Sequence, residues 1–426
     1  MKLTTKAFVS TLLLLFLIPL FAWAEGEQEI ESTGTISGDI FEKRGRYYHA
    51  FLSLYGAYDD NIFNTSEEEE SDFITVISPG IQLVFPSTKM KPLPVETGTT
   101  TPGGLVYDRF AAPGFQQFES YLAYNPRILI YAENTDENTV NHYAQGALQY
   151  NLRGGLSLNL VDRFVQDFDR YEAGISTETD TFRSNLANLI VSYAITEKTL
   201  FRVDYSNFIV FYTDPKNEDR NRVDNAGSGY LFFKIRSKTS LFAQYNIIDI
   251  SYDEDSIRDS REQRLLGGVY WNMTEKTRGS FRVGYGLREF DDTQIEDGEG
   301  VVFEARLNYQ ATPKTSFELG AYHRNEETPD LTADYLVTSS ATATYRQKLT
   351  DKFTFAFEFL YRDEDYQGGV AKERSDQIFL AEPSLTYTFR DWLSASFTYG
   401  YRQRDSNEDA FDYTGNRVVF EVRGAI

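Results

Sequence analysis

Arginine is the residue in this chain whose spacing could do chemistry. Arg127, Arg202, Arg264, Arg282, Arg306, Arg346, Arg402 and Arg423, with Lys234, Glu304 and Glu358, fall on the polar side of segments whose alternate positions are apolar. Arg236, Arg288, Arg362, Asp204, Glu318 and Glu421 share that side. Rings of Arg or Lys inside a pore favour anions. One expectation is therefore a lumen lined by these residues that passes anionic or polar solutes. The other is that Arg and Glu pair across neighbouring strands as ordinary lumen filling, and the two can coexist.

A second candidate is a calcium site. Asp59, Asp60 and Asn61, with Glu67 to Glu70 behind them, could bring hard oxygen ligands onto one ion. There is no EF-hand spacing, and a solvated acidic loop is the competing reading; divalent ions bound to lipopolysaccharide would produce the same dependence. His49, His142 and His323 are far apart, and no HEXXH, GXSXG or P-loop phrase occurs, so the chain is read as neither an enzyme nor a cofactor protein. The 42 Lys and Arg against 64 Asp and Glu, a net charge of −22, argue against a nucleic-acid surface. The absence of Cys removes both a disulfide framework and thiolate metal ligands.

The elements that must position the arginines are betrayed by a repeat. TEKT, SKTS, TEKT, TPKT and TDKF place Lys198, Lys238, Lys276, Lys314 and Lys352 at separations of 40, 38, 38 and 38 residues. Between them the chain alternates: Phe353, Phe355, Phe357, Phe359 and Tyr361 against Thr354, Ala356, Glu358 and Arg362, and Leu393 to Tyr401 in the same manner. Period two means strands with one apolar and one polar face. Each unit is a hairpin with a short turn at one end and a long acidic loop, such as DDNIFNTSEEEESD or DDTQIEDGEG, at the other.

Residues 1–24 carry Lys2 and Lys6, an apolar run and small residues at Ala22 and Ala24, the layout of a cleavable secretory signal. With 29 Tyr and 33 Phe, the rest must bury many rings. Strands cross a bilayer only as a closed barrel, because every backbone donor and acceptor must pair within the protein. Short turns on one side, long loops on the other and abundant aromatics match such barrels. The expected fold is all-β: a transmembrane antiparallel up-and-down barrel over residues 46–426, of about 18 strands with 16 to 20 as the range. Expected starts are Tyr47, Phe73, Phe118, Asn141, Leu156, Phe182, Leu200, Asn225, Leu241, Gln263, Gly279, Val301, Phe317, Tyr335, Phe353, Gln377, Leu393 and Arg417. Val418, Phe420, Val422 and Ile426 mark the closing strand. Pro79 within the second strand should sit where no amide is needed.

Residues 25–45 read as a flexible periplasmic leader. Residues 87–114, rich in Pro, Thr and Gly, interrupt the pattern at a periplasmic strand end. A flexible insertion is the preferred reading, with a periplasmic docking site or an inward-folding constriction as alternatives.

The run LYGAYDDNIFNTSEEEESDFITVISPGIQLVF, with YDDNIF, SDFI and SPGI, and the repeated TEKT-like turns resemble the putative β-barrel porin 2 family. That resemblance implies a Gram-negative outer-membrane barrel, often associated with exopolysaccharide export. An even strand count puts both termini in the periplasm, with the long loops outside. Partners on this reading are outer-membrane lipid, lipopolysaccharide, the insertion machinery and periplasmic polysaccharide-export proteins. Two functions are carried forward: a porin-like channel for polar or anionic solutes, and a non-conducting scaffold or surface barrel acting through its acidic loops.

Overall fold

The computed structural model describes residues 47–86, 92–110, 117–169, 180–254, 256–274, 276–328, 330, 332–371 and 373–425. The expected signal, the leader, Ile426 and the stretches 87–91 and 111–114 of the insertion lie outside these residues. Strands β1 (Tyr48–Asp59), β2 (Asp72–Phe85), β3 (Phe118–Tyr124), β4 (Arg127–Tyr131), β5 (Thr139–Asn151), β6 (Leu156–Asp169), β7 (Asp180–Ala194), β8 (Thr199–Tyr212) and β9 (Arg222–Arg236) form the first half. The second half is β10 (Thr239–Tyr252), β11 (Ser260–Thr274), β12 (Thr277–Phe290), β13 (Gly298–Thr312), β14 (Thr315–Glu326), β15 (Tyr335–Lys348), β16 (Phe353–Gln367), β17 (Ser375–Arg390), β18 (Leu393–Ser406) and β19 (Tyr413–Ala425). Pairing is antiparallel throughout, and β19 returns to β1, from Phe51 opposite Ala425 to Asp59 opposite Arg417, so the sheet closes on itself.

These 19 segments make 18 crossings. On β2, Ile74 opposite Tyr131 and Ile81 opposite Tyr124 belong to one register, and on β5 so do Ala144 opposite Tyr124 and Asn141 opposite Arg127. Strands β3 and β4 are therefore one crossing, interrupted at Asn125 and Pro126. The same register sets Pro126 opposite Pro79, and the ladder between β2 and its neighbour lapses there. Neither proline has an N–H to donate, so one gap accommodates both. Asn125 holds the joint: its N–H donates to the Tyr143 carbonyl (3.1 Å) and its side-chain oxygen accepts from the Ser78 hydroxyl (2.7 Å).

Side chains alternate as the sequence implies. On β8, Arg202, Asp204, Ser206 and Phe208 are buried toward the lumen, while Phe201, Val203, Tyr205 and Phe211 are exposed outside. Leu231, Leu241, Leu265, Phe281, Val301, Phe397 and Phe420 continue that outer apolar band, the surface a barrel offers to lipid. Rings bound it. Near the short turns, Tyr47, Phe85, Phe118 and Tyr150 form a chain with centroids 5.9 to 6.4 Å apart. Toward the long loops, Tyr205, Tyr245 and Tyr399 donate hydroxyls to Asn225 (2.8 Å), Gln263 (2.6 Å) and Asn416 (2.6 Å), a wet tip on a buried body. No helix among the described residues is long and apolar enough to cross a membrane.

The repeated turn phrase has a local cause. The Thr196 hydroxyl accepts from the Lys198 and Thr199 amides, Thr312 from Lys314, and Thr350 from Lys352 and Phe353, at 3.0 to 3.2 Å. Each Thr thus satisfies amides that a two- to four-residue turn cannot place in the ladder.

Candidate functional site

Residues 92–110 leave the wall after β2 and fold into the barrel. Thr97 bridges Leu105, the Val106 N–H donates to the Glu96 carbonyl (3.0 Å), and a tight tip runs from Gly98 to Gly104. Gly103 (φ 75°) and Gly104 (φ 79°) adopt the left-handed backbone that glycine tolerates, and a Cβ on Gly104 would lie 2.4 Å from the Phe208 ring. At the tip, the Glu327 N–H donates to the Thr100 carbonyl (2.7 Å) and the Gly103 N–H to Asp224 (2.9 Å). On the rising arm, the Leu93 N–H donates to the Tyr121 hydroxyl (2.8 Å), and Arg163 donates to the Val95 carbonyl (2.6 Å). On the falling arm, Arg109 donates to Asn188 (2.5 Å) and to Asn159. Phe110 packs on Phe232, Phe242 and Tyr270.

The preferred reading of a flexible insertion gives way for these residues. Their Thr, Gly and backbone groups are what satisfy a wall already dense in buried polar side chains. The hairpin touches inward side chains from β3 to β14 and narrows that side of the lumen.

The expected lining residues divide accordingly. Arg202 donates to Asp204 (2.6 Å from Nε) and lies 4.7 Å from the Tyr230 ring centroid. Arg264 is paired with Glu262 (2.8 and 3.0 Å). Arg282 bridges Glu304 (2.6 Å), the Gln244 side-chain oxygen (2.8 Å) and Asp108 of the hairpin. Arg306 donates to hairpin Glu96 (2.8 Å), and its guanidinium lies 4.2 Å from the Tyr107 ring centroid. These five wall residues, Glu304 included, are gathered around the hairpin. Arg346 is held by Glu318 and Glu358, each at 3.1 Å, beside a cavity of about 120 Å³ that Glu96, Tyr107, Arg306, Glu318 and Glu358 line. Elsewhere, Arg127 lies over Tyr143 and Arg423 over Phe51 (4.7 and 4.5 Å to the ring centroids). Lys234 is exposed at the short-turn rim.

The calcium candidates do not converge. Asp59 takes two bonds from Arg402 (3.0 and 2.7 Å), Asp60 accepts from the Asn416 backbone and side chain (2.6 and 2.8 Å), and the Asn61 side-chain oxygen accepts from the Thr65 N–H (3.0 Å). Each is spent on a different protein donor, which corrects the expectation of a shared ion. The three histidines also stay apart: His49 is buried in β1, His142 bonds Tyr124 (2.9 Å) and His323 bonds Ser339 (2.8 Å). Val418, Phe420 and Val422 lie on the outer face of β19.

Sequence reasoning missed a recurrent device. Arg202 with Asp204, Arg222 with Asp224, Glu262 with Arg264, Arg324 with Glu326 and Arg362 with Glu364 pair two residues apart on one strand, and Arg374, just before β17, pairs with Asp376 in the same way. The signal was available, because period two puts positions i and i+2 on the same face. Loop side chains also recur in one role: Asn138, Asp259, Asp297 and Asp412 accept from the amides of Tyr131, Tyr252, Phe290 and Ser406 at 2.7 to 3.0 Å. These side chains fasten each loop to the strand end it leaves. Beyond the end of β14, Glu327 receives Arg288 (2.8 and 2.9 Å) and the Tyr252 hydroxyl (2.6 Å). Burial there works against the charge, but Arg288 and Arg222 outweigh it and hold the Glu327 carboxyl below its ordinary range.

No curated protein matches the chain. Among solved structures it is similar to Pseudomonas aeruginosa OccK2 (OpdF), at 8% identity over 90% of this chain and 100% of that one, with a TM-score of 0.46. It is also similar to Acinetobacter baumannii OccAB3, at 10% identity over 89% and 98%, with a TM-score of 0.44. The family model described as putative beta-barrel porin 2 matches residues 191–426, from the end of β7 through β19 and more than half of the chain, and the chain belongs to that family.

Proposed function

We propose that this protein is a porin-like channel of the Gram-negative outer membrane for polar or anionic solutes, narrowed from within by the hairpin 92–110. The observation that carries this reading is the closed wall of 18 crossings, apolar outside and lined inside by charged side chains, with a folded segment set across its lumen. A barrel of that size has room for an aqueous passage. On this reading the long loops face outward and the termini and short turns face the periplasm. The protein acts without a catalytic step, and lipid, lipopolysaccharide, the insertion machinery and a periplasmic polysaccharide-export system are its surroundings. The family resemblance makes acidic saccharide chains the first solutes to try.

A non-conducting scaffold is the second reading, favoured by the density of bonds between hairpin and wall. Single-channel recording of the refolded, signal-free protein under a salt gradient separates the two. Steady anion-preferring openings support the channel; a folded barrel that stays silent, with or without residues 87–114, supports the scaffold.

A further inference from the structure

The hairpin's Asp108 is held unlike the other lumen acids, most of which pair with an arginine of the wall beside them. Its Oδ2 is gripped by three groups from separate strands: the Tyr230 hydroxyl of β9 (2.6 Å), the Gln244 side-chain amide of β10 (3.1 Å) and Arg282 of β12. All three wall residues are more than nine-tenths buried, Tyr230 and Gln244 almost completely. They are donors aimed at one point, and a planar guanidinium with two neutral donors is the arrangement that receives a carboxylate. A cavity of about 50 Å³ is lined by Asp108, Gln244, Arg282 and Glu304. Close by, Arg306 holds the hairpin's other acid, Glu96, under the Tyr107 ring. Arg282 lies opposite Glu304 and Arg306 opposite Ser280, so the two arginines are diagonal neighbours across β12 and β13, with Cα atoms about 7 to 8 Å apart.

We infer that the wall carries a built receptor for carboxylate-bearing solutes at Tyr230, Gln244 and Arg282, extended toward Arg306, and that Asp108 and Glu96 occupy it as tethered competitors. The assignment deepens the channel reading by naming the solute class: a molecule with two carboxylates a few bonds apart matches both arginines. Such a solute exchanges for the hairpin's carboxylates one for one, so no buried guanidinium is left bare during the exchange. Neutral polyols cannot make that exchange.

The test is calorimetric titration of the detergent-solubilised barrel with succinate and with neutral succinamide. Asp108→Ala with Glu96→Ala should bind succinate at least tenfold more tightly than the natural chain. Succinamide should bind to neither, and adding Arg282→Met should abolish the gain. Asp108→Asn, which keeps the hairpin's volume, serves if the double variant does not fold, and should show a smaller gain in the same direction. Equal succinate binding with and without these substitutions, or succinamide binding as well as succinate, overturns the assignment. Binding needs no ion flow, so tight succinate binding in a barrel that never conducts sinks the channel reading and leaves the receptor standing.

Discussion

The lumen has two halves that differ in what their charges face. From β3 to β14 the inward side chains meet the hairpin: Tyr121, Arg163, Asp224, Arg282, Arg306 and Arg324 each make a bond to it. From β15 round through β19 to β1, the pairs close within the wall or with the outer loops, as in Arg346 with Glu358, Arg374 with Asp376 and Arg402 with Asp59. A charged lumen surface therefore does not by itself mean a selective one. In the first half Arg163, Arg282, Arg306 and Arg324 are engaged by a removable segment while Arg202 and Arg264 pair with wall acids, and in the second the named guanidiniums are held by partners that cannot leave.

Removing residues 87–114 is the largest perturbation of that contrast. It should raise single-channel conductance several-fold and shift selectivity toward anions, because Arg282 and Arg306 lose Asp108 and Glu96 while the second half is untouched. Conductance and reversal potential of the deleted barrel check this. Unchanged selectivity would mean that the arginines find new partners in the wall.

The next contrast is between a sealed pair and a wet one. Glu327→Ala leaves Arg288, which is fully buried, without its carboxylate and should cost about 3 to 5 kcal/mol. Glu358→Gln, whose pair with Arg346 is partly exposed on both sides, should cost no more than about 1 kcal/mol. Urea unfolding in detergent measures both. Equal costs would show that the hairpin's tip, which hangs on the Glu327 amide, does not make that end more rigid than the rest.

The wall was legible because bilayer thickness and period two leave little freedom. Strands after short turns begin at the expected residue or within two of it, with Leu156, Phe353 and Leu393 matching. Strands after long loops begin one to four residues earlier, as with Arg222 for Asn225, Ser260 for Gln263 and Tyr413 for Arg417, except β15, which begins at the expected Tyr335; the ladder continues above the apolar band, where the alternation fades. The hairpin was not legible for a different reason. Its Thr, Gly and Pro have no period, and what fixes it are partners 210 residues away for Glu96 and 174 for Asp108. The Gly103 and Gly104 pair announced a turn, but nothing local said that the turn would be inside.

Acid should loosen the same end. The folded Glu327 carboxyl lies below its ordinary value of 4.5, so its contribution is fully present above that pH and is lost as the pH falls through the folded value. Stability of the natural chain should therefore decline below pH 4.5 more steeply than that of Glu327→Gln, which has no proton to take up. Parallel declines in unfolding experiments would assign the acid sensitivity to other carboxylates.

The smallest effect tests the outer face. Asp162 points outward midway along β6, between Leu160 and Phe164, with Gly146 and Ala187 opposite it, and accepts a bond from Asn185 (3.3 Å). If lipid covers that sector as it covers Phe281 or Phe420, a carboxylate there is a liability, because charges on the lipid face cost most at mid-height. Asp162→Leu should then be neutral or stabilising by up to about 1 kcal/mol in lipid-reconstituted unfolding, the small neighbours leaving room for the larger side chain. Its inward counterpart Asp204→Leu should destabilise, since Arg202 loses the carboxylate that holds it. A loss on replacing Asp162 would instead mean that this sector of the wall meets a polar partner rather than lipid, and the distinction between inner and outer charges would have to be redrawn at β6.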